Sequence, residues 1–531
     1  MIKIFRHKDI MIYIGMVVVL LPVIMLRDYT PSNELRYLSI ADEALRNHTF
    51  FTFYSHGEVY ADKPPLYFWA LMLCRWLTGE YKMWMLALFS LLPAIGILRV
   101  MDNWVIEEMD GEHRRLAMGM LIGSGLFLST SVFLRMDMLM AFLIVLALRE
   151  FWRIYCPGAH RQRSLWLFPV YLFLAVFTKG PLGLLIPLCA TLVFLVVKKQ
   201  TKSICRFWGW RTWLTLLLPC LVWFAGIYAE GGREYLDNLL IHQTVGRAVN
   251  SFHHKEAFYY YLVHIWYCAA PWSFLVIGVL IFAQRKRFVQ SDLQRFFQIV
   301  FIATVVLLSC ISGKLQIYML PAIPFLIYAA VMFLPRLDCT WWAKLSLALP
   351  AVIFVLVTPA LLAFCTAKDI SSWGGMWVYL AACVLGATGL HTLWQLYGKR
   401  ENHATIPQAI RCMGIGWLAA VFFGGWGMPR INQEIGYGAL CEKATSVAGK
   451  YQISDFKTWH IIRPENMDVY LRHPVQVIPD DSVPTAVPGK PYLLITRKRY
   501  LPQMQAPSQP VVMGKYAIIR FQNPKKIKHY E

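Results

Sequence analysis

Apolar runs of about 18–22 residues recur along this chain. No other feature restricts its fold as strongly, because such a run is long enough to cross the hydrocarbon core of a bilayer as a helix. The runs fall near 9–27, 82–100, 114–130, 138–154, 166–178, 180–198, 211–229, 259–283, 296–311, 317–335, 343–363, 374–396 and 407–427. They predict an all-α polytopic membrane protein with about 13 transmembrane helices. Composition agrees, with 57% hydrophobic and only 16% charged residues, far less charge than a soluble domain carries.

The net charge of +21 reads as topology rather than nucleic-acid binding, since Lys and Arg sit in short clusters between apolar runs. Lys3, Arg6 and Lys8 precede the first run and place the N-terminus in the cytoplasm. Later clusters, such as Lys198–Lys199 and Arg285–Arg287, fall on the side that alternation makes cytoplasmic. An odd number of spans then puts the C-terminus outside. The first run is too long for a signal-peptide core and reads as a retained helix. The 12 cysteines are scattered, with no CxxC pair, so they indicate neither a zinc site nor a disulfide framework.

Two regions stand apart. Residues 27–81 form the first outer loop, in which 65–78 reads as a short juxtamembrane helix lying in the interface. Beyond residue 427 the composition changes. Helical Glu434–Tyr451 precedes strand-like Trp459–Arg463, Met467–Leu471, Val475–Ile478, Tyr492–Thr496 and Tyr516–Phe521. The division expected is a transmembrane domain, 1–427, followed by a small α/β periplasmic domain, 428–531.

With this topology the polar motifs converge on one face. Asn33, Glu34, Arg36, Asp62 and Lys63 lie in the first outer loop, Arg135 and Asp137 in the next outer turn, and Lys179 in the turn before 180–198. His242, Arg247, His253 and His254 lie in the long segment after 229, and Lys314 and Tyr318 in another outer segment. Charges this close to a bilayer are costly unless they face a cavity, which makes them functional candidates. The cations Arg36, Lys63, Lys179, Arg247 and Lys314 suit a phosphate or diphosphate leaving group. Taken singly, each is equally an anchor snorkelling to lipid phosphate. Glu34 and Asp137 are acids able to take a proton from an acceptor hydroxyl, or simply partners of Arg36 and Arg135. No P-loop, GxGxxG or outer-loop DxD pattern accompanies them, which argues against a nucleotide or nucleotide-sugar donor.

In series, these segments resemble the GT-C glycosyltransferases of the protein-mannosyltransferase-like group, and within it the lipid A 4-amino-4-deoxy-L-arabinose transferase family. The motifs are Asn33-Glu34-Leu35-Arg36-Tyr37, Asp62-Lys63-Pro64-Pro65-Leu66, Arg135-x-Asp137, Lys179-Gly180-Pro181, Arg247 followed by His254 and Pro271-Trp272, and Lys314-x-x-x-Tyr318-x-x-Pro321. They cover about residues 20–335 in the family's order.

The resemblance implies transfer of a sugar, with inversion, from undecaprenyl phosphate to lipid A or a related envelope glycolipid at the periplasmic face of a bacterial inner membrane. Arg36, Lys63, Lys179, Arg247, Lys314 and Tyr318 would hold the lipid phosphate. Glu34, Asp137 and Asn33 would form the catalytic group. A divalent metal on Asp62, His242 and His254 is a further possibility raised by the family. The chain departs from the family at two points. Asn33 stands where the family has its usual catalytic Asp, and an amide cannot accept a proton. Asp62 stands in place of Glu. The rival readings are a protein O-glycosyltransferase of the same fold and a transporter of lipid-linked sugars. The one-sided charges disfavour the transporter, which needs charge along a mid-membrane pathway.

Overall fold

The computed structural model describes residues 7–156, 158, 161–240, 256–337, 340–367, 375–398, 405–485 and 490–521. Each of the apolar runs is helical. The first is α1 (His7–Leu26), followed by α2 (Glu34–Asn47) and α3 (Leu66–Thr78) in the first loop. Next come α4 (Met83–Trp104), α5 (Gly111–Gly123), α6 (Gly125–Thr130), α7 (Asp137–Tyr155), α8 (Arg161–Lys179) and α9 (Leu182–Val197). The largest buried cluster runs through α1, α4, α5, α7–α9 and the helices at 292–310 and 323–331. Among the described residues seven helices are individually long and apolar enough to cross a membrane, and eight if one bent pair counts as a span. The remaining predicted spans are shorter or more polar helices.

Three predicted spans are interrupted. The run at 114–130 breaks at Ser124, whose extended backbone separates α5 from α6. The run at 259–283 is two helices, Tyr260–Cys268 and Ser273–Arg285, bent by 115°. The run at 317–335 starts as a 3-10 segment, Gln316–Ala322, before Ile323–Val331 becomes α-helical. Such irregular backbone is tolerated at membrane depth only against protein or a cavity, and at the first break the Gly125 N–H donates to the Ala270 carbonyl at 2.9 Å. The helix predicted at 211–229 extends further, as Trp210–Asp237 with a kink at Gly232. Its Glu230 carboxylate accepts hydrogen bonds from the backbone N–H groups of Phe50, Phe51 and Thr52 at 2.6–2.8 Å.

The C-terminal region is α/β, as expected, with a five-stranded sheet. β1 (Tyr54–Ser55) and β2 (Glu58–Val59) form a separate hairpin in the first loop. The sheet comprises β3 (Asp455–Trp459), β4 (Val475–Val477), β5 (Tyr492–Arg497), β6 (Val511–Met513) and β7 (Tyr516–Phe521), in the order β4-β3-β5-β7-β6. Pairing is parallel for β3 with β4 and β5, and antiparallel for β5–β7–β6. Two strand expectations are corrected. Met467–Leu471 is helical, ending a 3-10 turn that begins at Pro464, which cannot donate to a sheet ladder. The strand placed at Trp459–Arg463 lies earlier and stops where His460 and Arg463 take left-handed backbone conformations.

The first loop and the C-terminal region share one core, in which Tyr29, Leu35, Tyr37 and Leu38 pack with Tyr437, Leu440, Leu493 and Ile518. Polar contacts reinforce the seam. Asp28 accepts hydrogen bonds from the Gly438 backbone at 2.7 Å and from the Tyr470 hydroxyl. Ser39 donates to Asp468 at 2.9 Å, and His56 lies 3.3 Å from the same carboxylate.

Candidate active site

Two ion-pair clusters sit side by side where α1, α2 and α7 meet. In the first, Arg27 donates through both terminal nitrogens to the Glu34 carboxylate at 2.5 and 2.8 Å. The same carboxylate accepts the backbone N–H groups of Thr30 and Leu134, each at 2.7 Å. Arg27 also donates to the Val132 carbonyl at 3.1 Å. Glu34 is 1% exposed. The pair therefore clamps the turn that carries Arg135. The signal for it, an Arg seven residues before a Glu across a helix break, is too general to single out from sequence.

In the second cluster Asp137, at the first position of α7, pairs with Lys179 and lies 3.4 Å from Arg135. Lys179 also sits over the Tyr318 ring, 4.6 Å from its centroid, and lies within electrostatic reach of Lys63. Burial works against the charge on Arg135, but Asp137 and Tyr37 outweigh it and hold the guanidinium pKa above its ordinary value.

Beside these clusters opens a cavity of about 440 Å³, lined by Thr30, Asn33, Glu34, Ser129, Arg135 and Gln316 among others. The interrupted spans build it: α6 contributes Ser129, and the 3-10 segment contributes Gln316. Asn33 lines this cavity, and Glu34 is the sole acid in its lining among the described residues.

The other expected residues are placed as follows. Arg36 lies against Tyr37 and Tyr60, 5.8 and 5.5 Å from the ring centroids, and its Nε has no hydrogen-bond partner among the described residues. Lys63 pairs with Asp62 at 3.2 Å. Lys314 does not present its charge to the cavity: it is buried and donates to the backbone carbonyls of Glu256 and Ile311 at 3.1 and 2.6 Å. His242, Arg247, His253 and His254 lie outside the described residues. Of the three residues considered for a metal, only Asp62 is described, and it is engaged by Lys63. Among the described residues no group of three or more His, Cys, Asp or Glu side chains is arranged to hold a metal ion. One residue escaped the sequence reading altogether. Tyr67 of α3 is fully buried within electrostatic reach of Glu34, Asp137 and Arg135, and its hydroxyl has no hydrogen-bond partner among the described residues.

A helical domain with membrane-spanning helices, broken spans and a cluster of buried acids and bases beside the first loop define a polytopic membrane protein with a charged site. Comparison with known proteins narrows this. No family model matches the chain. It is 24% identical over 300 residues to an undecaprenyl phosphate-alpha-4-amino-4-deoxy-L-arabinose arabinosyl transferase of Shewanella sediminis, covering 56% of this chain and 54% of the relative. It is 23% identical over 403 residues to the protein of the same name from Yersinia pestis, covering 75% of this chain and 66% of the relative. The chain thus spans about half to two-thirds of the length of these relatives. An uncharacterized protein of Aquifex aeolicus is 25% identical over 354 residues, covering 65% of this chain and 68% of that one. The fold matches the crystal structure of ArnT from Cupriavidus metallidurans bound to undecaprenyl phosphate, with a TM-score of 0.74 at 18% identity, over 98% of this chain and 99% of that one. The chain therefore has the fold of that ArnT structure and is similar in sequence to the arabinosyl transferases.

Proposed function

We propose that this protein transfers a sugar, of the aminoarabinose type named in its relatives, from undecaprenyl phosphate to a phosphate group of lipid A or a related envelope glycolipid. The reaction runs at the periplasmic face of a bacterial inner membrane, with the N-terminus cytoplasmic and the C-terminal α/β region periplasmic. The bond between the sugar anomeric carbon and the lipid phosphate oxygen breaks. A bond from the same carbon to an acceptor oxygen forms from the opposite side, which inverts the configuration. Undecaprenyl phosphate leaves.

The observation that carries this reading is the state of the acids. Asn33 cannot accept a proton, Glu34 is held by Arg27 and two backbone donors, and Asp137 is held between Lys179 and Arg135. A hydroxyl acceptor needs a base. A phosphate acceptor does not, since its oxygens are already ionised near neutral pH. The site is therefore built for positioning and charge: Arg135, Lys179 and Lys63 stabilise the phosphate as negative charge develops on it, and Asp137 keeps the first two aligned.

The test is the intact mass of lipid A from cells with and without the gene, joined to transfer by purified protein from undecaprenyl-phosphate sugar to lipid A and to its dephosphorylated form. Loss of one sugar increment on deletion, with transfer only to the phosphorylated acceptor, is the expected result. Unchanged lipid A together with loss of glycan from periplasmic proteins would overturn the acceptor assignment.

A further inference from the structure

The stretch of the first loop that leads to Asp62 and Lys63 is gripped by the end of the helix Trp210–Asp237. Glu230 accepts the Thr52 hydroxyl at 2.8 Å as well as the three backbone N–H groups of Phe50, Phe51 and Thr52. Tyr235, 3% exposed, holds both feet of the β1–β2 hairpin. Its hydroxyl accepts the Phe53 N–H at 2.9 Å and donates to the Tyr60 carbonyl at 3.1 Å. The Tyr60 N–H closes the hairpin on the Phe53 carbonyl at 2.9 Å. On a regular helix residues 230 and 235 would point about 140° apart. The break at Gly232, whose φ is 70°, turns both side chains to one segment. Close approach is built in: a Cβ added at Gly226 would meet the Phe51 ring at 2.7 Å, and one at Gly231 the Thr52 side chain at 2.7 Å.

The grip reaches the charges through Tyr60. The Tyr60 hydroxyl donates to the Asp62 carboxylate at 3.3 Å, and the same carboxylate oxygen accepts from the Lys63 ammonium at 3.2 Å. On its other side Lys63 runs into Pro64 and Pro65, whose rings fix the backbone before α3. The Lys63 ammonium is thus placed by a continuous chain of contacts that starts at Tyr235 and Glu230. Neither of those residues touches the cavity at the ion-pair clusters.

We infer that Glu230 and Tyr235 are positioning residues for sugar transfer, acting through Tyr60 and Asp62 to set Lys63 against the lipid phosphate. The inference rests on the reaction proposed above, in which Lys63 stabilises that phosphate. Displacing a catalytic group by about 1 Å costs about 10²-fold in rate. The loss should fall mainly on kcat, because the phosphate gains charge as its bond to the sugar breaks.

The test is a double-mutant cycle on the purified full chain, with sugar transfer normalised to folded protein. Glu230→Ala should lower kcat by about 10–10²-fold with KM for the donor changed less than about threefold. Tyr235→Phe, which removes two hydrogen bonds and keeps the ring, gives the same reading should Glu230→Ala fail to fold. In a Lys63→Met background either substitution should change kcat by less than about twofold, because the group it positions is gone. A purely structural grip would lower the rate by the same factor with and without Lys63. That result, or unchanged kcat in both single variants, would overturn the assignment. The same cycle read as undecaprenyl phosphate affinity covers a Lys63→Met background too slow to assay. A wild type that transfers no sugar overturns the proposed reaction instead, and the affinity cycle then still reads whether Glu230 and Tyr235 act through Lys63.

Discussion

Replacing Glu34 with Gln separates a clamp from a catalyst. The Arg27–Glu34 pair is almost wholly removed from solvent, with side-chain exposures of 8% and 1%. Breaking one partner of a buried, hydrogen-bonded pair leaves an uncompensated charge and costs about 3–5 kcal/mol. The substitution is harsher here than its near-isosteric shape suggests. Glu34 faces only donors: two from Arg27, and the backbone N–H groups of Thr30 and Leu134. The amide –NH2 of Gln must point at one of them. Glu34→Gln should therefore lower stability by about 3–5 kcal/mol. In an Arg27→Met background its cost should fall, giving a coupling energy of about 2 kcal/mol in a double-mutant cycle. The assay is denaturant unfolding in detergent, followed by Trp fluorescence, beside sugar transfer normalised to folded protein. Transfer should fall as well, because the clamp holds the Val132–Leu134 turn and through it Arg135. A Glu34→Gln protein as stable as wild type yet inactive would refute this and restore Glu34 as a proton acceptor.

Lys179→Met should reduce transfer by about 10²–10³-fold, the usual loss of one preorganised electrostatic contact; a change under about threefold would remove Lys179 from the phosphate site. Tyr67→Phe should raise stability by about 1 kcal/mol, since it deletes a buried hydroxyl that has no partner among the described residues; loss of stability would show that the hydroxyl is satisfied. The hydrogen bond to Asp468 holds the His56 pKa above its ordinary 6.5, against the opposing effect of burial. That contribution is fully present below 6.5 and is lost as pH rises through the elevated value, so the contact between the first loop and Asp468 should loosen as pH rises above 6.5. Hydrogen exchange of residues 464–471 reads this directly, and Asp468→Asn should flatten the pH dependence.

The membrane class, the helix positions and the α/β character of the C-terminal region were legible because each depends on local patterning. A hydrocarbon core demands long apolar runs, and an exposed sheet demands short alternating ones. Asn33, Glu34, Asp137 and Lys179 were legible as candidates because each is a polar or charged residue in a short segment between apolar runs, which is read without knowing which helices touch. Partnership was not legible. That Glu34 belongs to Arg27 rather than to Arg36 depends on how the chain turns after α1, and its bond to Leu134, the bond of Lys314 to Glu256 and the place of Tyr67 among the charges depend on chain segments far apart in sequence. The breaks at Ser124 and after Cys268 escaped for a related reason: hydropathy continues through them, and only neighbouring protein makes the irregular backbone tolerable. Thus the sequence alone determined which solvent each segment prefers. The tertiary structure decided which charges are neutralised by which, because burial and hydrogen-bond geometry are properties of packed neighbours and not of any single stretch of chain.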